Sequence, residues 1–326
     1  MRAQPADTSV VRQSLFDLVY QDTAILRIEL EADHKLIRKS RRDTAYQKGV
    51  LRWGAAFDEE LPVKLRVRGR LRRRICDVPP LKLRFSKKRL RARRLAPYND
   101  HKLVTHCMYD GNSGDAVVRE YLAYRLYQLL TPVSFRVQLV QIHYRQADKK
   151  RKNRFRYGIL IEDVEQLTDR LNGREVPRVM CTPEMSCRTQ EDLMSVFQMC
   201  IGNHDYTVGG GHNVKWFEVP GEKGLLPVPY DFDFSGLVMA TYATPLPNYR
   251  QLEKVTDRLY LGRAQSDEAL SQAIELLVQK REALLAEVER CPGLSDYSRE
   301  QIGTYLEAFF DRVNVQDLAA GKVYRY

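Results

Sequence analysis

From Ile25 to Glu31 apolar and polar side chains alternate, and this period of two predicts a half-buried strand. The alternation returns in Val63-Lys64-Leu65-Arg66-Val67-Arg68, stops at Gly69, and resumes after Pro79-Pro80 as Leu81-Lys82-Leu83-Arg84-Phe85. These runs predict an antiparallel sheet with one basic face. Further strands are predicted over 101–107, 135–140 and 157–161, the last two separated by a very polar loop over 146–154. Between them, after a polar turn over 110–115, Val118, Leu122, Leu126 and Leu129 recur at spacings of three and four. That places them on one helical stripe facing the sheet, and Pro132 ends the helix.

Beyond Glu162 the pattern turns helical. Leu193, Val196, Phe197, Cys200 and Ile201 mark a well-buried helix, with Gly202 as its C-terminal stop. A loop over 203–211 leads into a short strand over 214–219. A second short strand enters the turn Pro229-Tyr230-Asp231-Phe232-Asp233. Two helices are expected to close the chain. The first starts at Ser266 and buries Leu270, Ile274, Leu277 and Val278; the second starts with a Ser298-x-x-Gln301 capping box and buries Ile302, Tyr305, Leu306, Phe309 and Phe310. The succession is α+β, without internal repeats or long low-complexity linkers.

A chain of 326 residues can bury a sizeable core and fits two domains or two lobes of one fold. No stretch approaches the roughly 18 consecutive apolar residues of a membrane-spanning helix, so a soluble, unanchored protein is expected. The segment from Arg2 to Val10 also reads like the polar start of a mature exported chain. Localisation therefore stays open between the cytoplasm and export after removal of a leader. Six cysteines are too sparse for a disulfide scaffold, although Cys181 and Cys187 could bridge in an oxidising compartment. His101, His106 and Cys107 match no zinc template and read as plain strand or loop residues.

The net charge of +11 is uneven: residues 64–94 hold fifteen Lys or Arg against one acid, Asp77, leaving about −3 for the rest. This excess exceeds what solubility needs and suggests an anionic partner. Nucleic acid ranks below an acidic protein or phosphate-bearing substrate, because the stripe lacks the interleaved exposed aromatics of single-strand binders.

Phosphoryl transfer asks a protein for a cation on the nucleotide phosphates, oxygen ligands for magnesium, and an acid group to position the incoming hydroxyl. Asp205, on the loop leaving a buried helix, could serve as the base. Asn213 offers a neutral oxygen and Asp231 an anionic one to Mg²⁺. Eighteen positions separate Asn213 from Asp231, enough for two short strands to return the carboxylate beside the amide.

The order Gly202-Asn203-His204-Asp205, then Asn213, then Pro229-Tyr230-Asp231-Phe232-Asp233 resembles the CotH-type spore-coat kinases and the HipA-type toxin kinases. Both have a protein-kinase-like fold. The resemblance extends over roughly Arg68 to Gly236. Residues 119–126, with Glu120, are similar to the helix whose glutamate pairs the ATP-binding lysine; residues 159–164, with Glu162, are similar to the hinge strand that contacts adenine. The resemblance implies an atypical two-lobed kinase, with an antiparallel-sheet N-lobe over 1–163 and a mainly helical C-lobe over 164–326 carrying the catalytic and metal-binding loops at 203–236. It also implies ATP, Mg²⁺ or Mn²⁺, and a protein hydroxyl as acceptor. By that analogy Lys102, eighteen residues before Glu120, is the first candidate for the phosphate lysine and Lys82 the second. Asp233, in Asp233-Phe234-Ser235-Gly236, competes with Asp231 as metal ligand.

The chain departs from ordinary kinases in having no Gly-x-Gly-x-x-Gly before Lys102; Arg68 and Arg70 around Gly69 could cover the phosphates instead. The gap from Asp205 to Asn213 is also long and contains Gly209-Gly210-Gly211. A catalytically inactive kinase-like protein, or a polyanion-binding module using the 64–94 face, is the alternative. Taken singly, Asp205, Asn213 and Glu120 are common turn or helix residues, and His204 and His212 are loop histidines. Their joint order favours the kinase-like reading.

Overall fold

Leu61, Val63 and Leu65, then Leu81, Leu83 and Phe85, are all buried, while the residues between them face outward. This is the predicted alternation, and it closes on itself. In the computed structural model, which describes residues 12–40, 45–108, 112–146, 155–209 and 211–326, seven strands form a closed barrel. They are β1 (Leu26–Ala32), β2 (Gln47–Trp53), β3 (Glu59–Val67), β4 (Leu81–Phe85), β5 (Asp100–Thr105), β6 (Val137–Gln146) and β7 (Phe155–Ile161), in the order β1-β2-β3-β4-β5-β7-β6. Every neighbouring pair is antiparallel except β1 and β6, which run parallel and complete the closure. The expected antiparallel sheet is thus a barrel with one parallel seam. Residues 110 and 111 of the expected turn, most of the loop at 146–154 and Gly210 lie outside the described residues, while 112–115 are already the first turn of a helix rather than a polar turn.

Helix α1 (Leu15–Val19) contributes Leu15, Phe16 and Val19 to the cluster that fills the barrel, and Ser14 caps it with a reciprocal Asp17 bond. Each inward Leu or Val adds roughly 1.5–3 kcal/mol relative to an exposed position. Short helices α2 (His34–Lys39), α3 (Arg72–Ile75) and α4 (Lys87–Ala92) fill connections between strands. The second core begins where α5 (Asn112–Leu130) lays Val118, Leu122 and Leu126 against Val104, Val137, Leu139, Ile159 and Ile161, all on the outer face of β5, β6 and β7.

That core continues through α6 (Val164–Arg170), α7 (Arg188–Cys200) and a three-stranded sheet of β8 (Arg174–Val176), β9 (Val214–Glu218) and β10 (Leu226–Pro229). It ends with four helices, α8 (Asp267–Gln279), α9 (Arg281–Arg290), α10 (Asp296–Phe310) and α11 (Val315–Ala319), where the sequence pattern gave two. Ser266 caps α8 as expected, but Val278 is exposed. Ser295, rather than Ser298, caps α10; Ser298 instead accepts from buried Arg119 and donates to Asp115.

The cysteine expectation is corrected. Cys76 and Cys107 form a disulfide, with Cα atoms 4.5 Å apart, while Cys181 and Cys187 are free thiols. The bridge ties the end of α3 to the residues after β5. Val78 N–H to the Cys107 carbonyl and Thr105 Oγ1 to the Val78 carbonyl reinforce the same junction. His101 points into the barrel, stacked 6.3 Å from Phe16 and edge-on 5.9 Å from Phe85, which removes it from the His106 and Cys107 neighbourhood as a joint ligand. Among the described residues no helix is long and apolar enough to cross a membrane.

Candidate functional site

Helix α7 ends at Gly202, whose φ of +63° only glycine adopts freely. The end is anchored from behind by Arg258, fully buried, which donates to the Cys200 and Tyr305 carbonyls and lies 3.6 Å over the Tyr305 ring. Asn203 then accepts from the Asp205 N–H and donates to Gln198, so the loop leaves the helix on a hydrogen-bonded turn.

The long gap between Asp205 and Asn213 folds back on itself. Thr207 and His212 form a β-bridge that returns the chain to its start. Asn213 Nδ2 donates to the Asp205 carbonyl at 2.7 Å and to Asp205 Oδ2 at 3.0 Å, and His212 Nε2 lies 2.9 Å from Asp205 Oδ1. Burial raises the Asp205 pKa, against the pull of His212 and Asn213.

Asn213 also accepts from the Tyr230 N–H through its backbone carbonyl, which brings the second segment alongside. Asn213 and Asp231 both have positive φ, 53° and 66°, a conformation that Asn and Asp tolerate better than most residues. The Asp231 N–H donates to Tyr124 Oη at 2.9 Å, and Phe232 is buried edge-on to Tyr124 at 4.7 Å. Tyr124 lies one helical turn after Glu120, so one face of α5 meets the whole turn. Among the described residues, no hydrogen bond or ion pair reaches the half-buried Asp231 carboxylate.

Asp233 is different. It is buried, accepts from Tyr242 Oη at 2.8 Å and stands 3.8 Å from the Arg72 guanidinium. Arg72 also donates to Glu120 at 3.2 Å and to the Thr105 carbonyl at 2.5 Å. Burial pushes Glu120 up to about 8 and Asp233 up to about 7; Arg72 opposes both rises, and neighbouring carboxylates add to them. Glu120 Oε1 and Arg72 Nε are buried without a hydrogen-bond partner among the described residues. An adjoining cavity of about 10 Å³, lined by both and by Cys107, has room for one water.

The expected lysine to Glu120 pairing is therefore corrected: the cation on Glu120 is Arg72. Lys102 extends across Tyr230, 4.2 Å from the ring centroid, and Phe135, at 5.4 Å. Burial, then Arg68 and Lys215, push its pKa well below the usual value. Lys82 stands opposite Lys102 on the neighbouring strand and pairs with Asp100 at 2.6 Å, and Arg68 follows β3, bonded through its N–H to the Pro80 carbonyl. Glu162 directly follows β7, with its carboxylate held by Arg136 N–H, Arg136 Nε and Arg170 Nη2. Its side chain is taken up structurally, leaving only its backbone for a ligand.

The fold thus gathers Asp205, Asn213, Asp231, Asp233 and Glu120 around one junction, with Lys102 beside it and Lys82 and Glu162 turned to other partners. Sequence reasoning missed Arg72, hidden in an Arg-Arg-Arg run, and Tyr242. Tyr124 carried a signal, its i, i+4 spacing from Glu120. Among the described residues no three His, Cys, Asp or Glu side chains converge as a ready-made metal cage.

The chain matches no family model and no curated protein sequence. Among solved structures it is similar to the Helicobacter pylori proinflammatory kinase CtkA, at 10% sequence identity and a TM-score of 0.42, over 74% of this chain and 90% of that one. At that score the likeness decides nothing about fold or activity.

Proposed function

We propose that this protein is an ATP-dependent phosphotransferase of the atypical kinase kind, using Mg²⁺ or Mn²⁺ and acting on a protein hydroxyl. The observation that carries the reading is the hydrogen-bonded joining of Asp205 to Asn213 and of Asn213 to Tyr230, immediately before the open carboxylate of Asp231. The barrel and the helical part are read as the two lobes, 1–163 and 164–326.

The residues fit a hard divalent cation. Asp231 and the Asn213 side-chain oxygen supply oxygen donors, and magnesium normally completes its shell with water and phosphate rather than with an all-protein cage. When bound, that metal would neutralise charge on the nucleotide phosphates. Asp231 ranks above Asp233 as its ligand, because Asp233 is already engaged by Tyr242 and Arg72. Lys102, with Arg68 and Lys215 close by, supplies cationic charge for phosphate; a depressed pKa is reversed when an anion arrives beside the ammonium. Arg72 and Glu120 hold α5 against the turn. Asp205 accepts the proton of the incoming hydroxyl on its carboxylate, and its raised pKa makes it a better acceptor than an exposed aspartate.

One observation favours the second reading, a catalytically inactive relative or polyanion-binding module: Glu120 is occupied by Arg72 and not by Lys102. Thermal-shift titrations with ATP, Mg²⁺ and both together, followed by transfer of labelled phosphate to a generic acceptor protein, separate the two. Stabilisation requiring both ligands, together with transfer, is the expected result. No stabilisation under any combination would end the phosphotransferase reading.

A further inference from the structure

The basic run is organised by strand register. Lys48 in β2 stands opposite Lys64 in β3, and Lys64 opposite Arg84 in β4; one step along, Arg66 stands opposite Lys82, and Lys82 opposite Lys102 in β5. Directly opposed residues share a face, and Leu65, Leu83 and Leu103 fill the barrel, so these cations lie outside it. Strands are spaced about 4.8 Å apart, so the second row runs roughly 10 Å from open Arg66 to Lys102 at the candidate site.

Little negative charge balances the outer end. Asp100 neutralises Lys82 and Arg84, but among the described residues no carboxylate lies within ion-pair distance of Lys48, Lys64 or Arg66. The guanidinium groups of Arg66 and Arg84 sit 4.9 and 4.8 Å from the Tyr46 ring centroid. That stacking restrains two long side chains before any ligand arrives and lowers the entropy lost on binding. Along β3 and β4 the cations Lys64 and Arg66, and Lys82 and Arg84, recur every second residue, about 6.6 Å apart, which is also the spacing of alternate side chains in an extended peptide.

We propose that the outer face of β2, β3 and β4 docks an extended acidic peptide segment of the substrate protein, with Asp or Glu side chains opposite Lys48, Lys64 and Arg66. The proposal rests on the phosphotransferase reading for the identity of the occupant, since the Arg66 to Lys102 row leads from this face into that site. A single-stranded nucleic acid fits less well, because the aromatic ring on the face, Tyr46, is already engaged by two arginines rather than open to stack a base.

The test is fluorescence anisotropy on the full chain, without nucleotide, using a labelled oligoglutamate peptide, its oligoglutamine counterpart and a DNA duplex at the same salt. Binding of oligoglutamate but not oligoglutamine is expected, with about tenfold weaker binding after Lys64→Glu with Arg66→Glu. Lys64→Gln with Arg66→Gln should give an intermediate loss, and serves for the comparison should the reversed pair not melt cooperatively. Oligoglutamate affinity unchanged in either variant, or duplex binding as tight as peptide binding, overturns the proposal. Because nucleotide is absent, that failure is distinct from a missing ATP and Mg²⁺ thermal shift, which these variants should retain.

Discussion

The Arg72 guanidinium lies 3.2 Å from the Glu120 carboxylate and 3.8 Å from that of Asp233, so one cation from the connection between β3 and β4 bridges α5 and the Asp231–Asp233 turn. All three side chains are almost wholly removed from water. Such a pair repays its desolvation only while both partners remain, which makes it a fixed joint and poorly tolerant of single changes.

Removing the cation alone should therefore be costly. Arg72→Ala is expected to lose about 3–5 kcal/mol of unfolding free energy, because Glu120 and Asp233 both lose the cation that opposes the cost of their burial. Adding Glu120→Gln should restore part of that loss, as a urea-melt double-mutant cycle would measure. Strictly additive losses would show that the two groups do not act on one another.

Asp205 and Asp231 should fail in different ways. Asp205→Ala is expected to lower phosphate transfer by about 10²–10⁴-fold while keeping the stabilisation by ATP with Mg²⁺. Asp231→Ala should remove the part of that stabilisation that needs the metal. Labelled transfer and thermal shift, run side by side, read both; full activity in either variant would refute the assignment of that residue.

The disulfide closes a loop of 31 residues between Cys76 and Cys107. Chain-entropy reasoning gives it about 3–4 kcal/mol. The Cys76→Ser, Cys107→Ser pair should melt lower by that amount under non-reducing conditions. Reductant should lower the wild type similarly and leave the variant unmoved.

His204 supplies a pH dependence. Burial lowers its pKa from 6.5 to about 4, with Asp257 opposing the shift. The unfolded chain therefore takes up a proton that the folded chain refuses. The stabilisation is complete above pH 6.5 and is lost as pH falls from 6.5 towards 4, a change of roughly 3 kcal/mol. His204→Leu should lose less stability than wild type between neutral pH and about pH 4 in denaturant melts. Parallel losses would show that this histidine does not contribute.

Much of the α+β character was legible because it depends on period. Leu61 to Leu65 and Leu81 to Phe85 alternate inward and outward, and Val118 to Leu126 fall on a single helix face; both follow from which side of an element meets the core. Strand β2 escaped because Gln47-Lys48-Gly49-Val50 breaks the alternation, and its place is fixed by pairing with β1 and β3. Barrel closure escaped as well, since periodicity says which face is buried but not which distant strand completes the ladder. In the candidate site, Asp205, Asn213 and Asp231 were readable from loop position and order. Arg72 was not: nothing in an Arg-Arg-Arg run tells which guanidinium will turn inward to meet Glu120. The same holds for Cys76 and Cys107, whose proximity is created only when the α3 connection docks beside β5.

The parallel seam sets an order on synthesis. Leu26 to Ala32 leave the ribosome early, yet their partners, Val140 to Gln146, emerge only after four more strands and α5 have been made. Until then the nascent chain carries one edge of β1 as an unpaired row of amides and carbonyls, a template for any passing strand. Translation stalled before Gln146 would leave that edge permanently open, so fragments ending there should depend on holdase chaperones far more than the finished protein does.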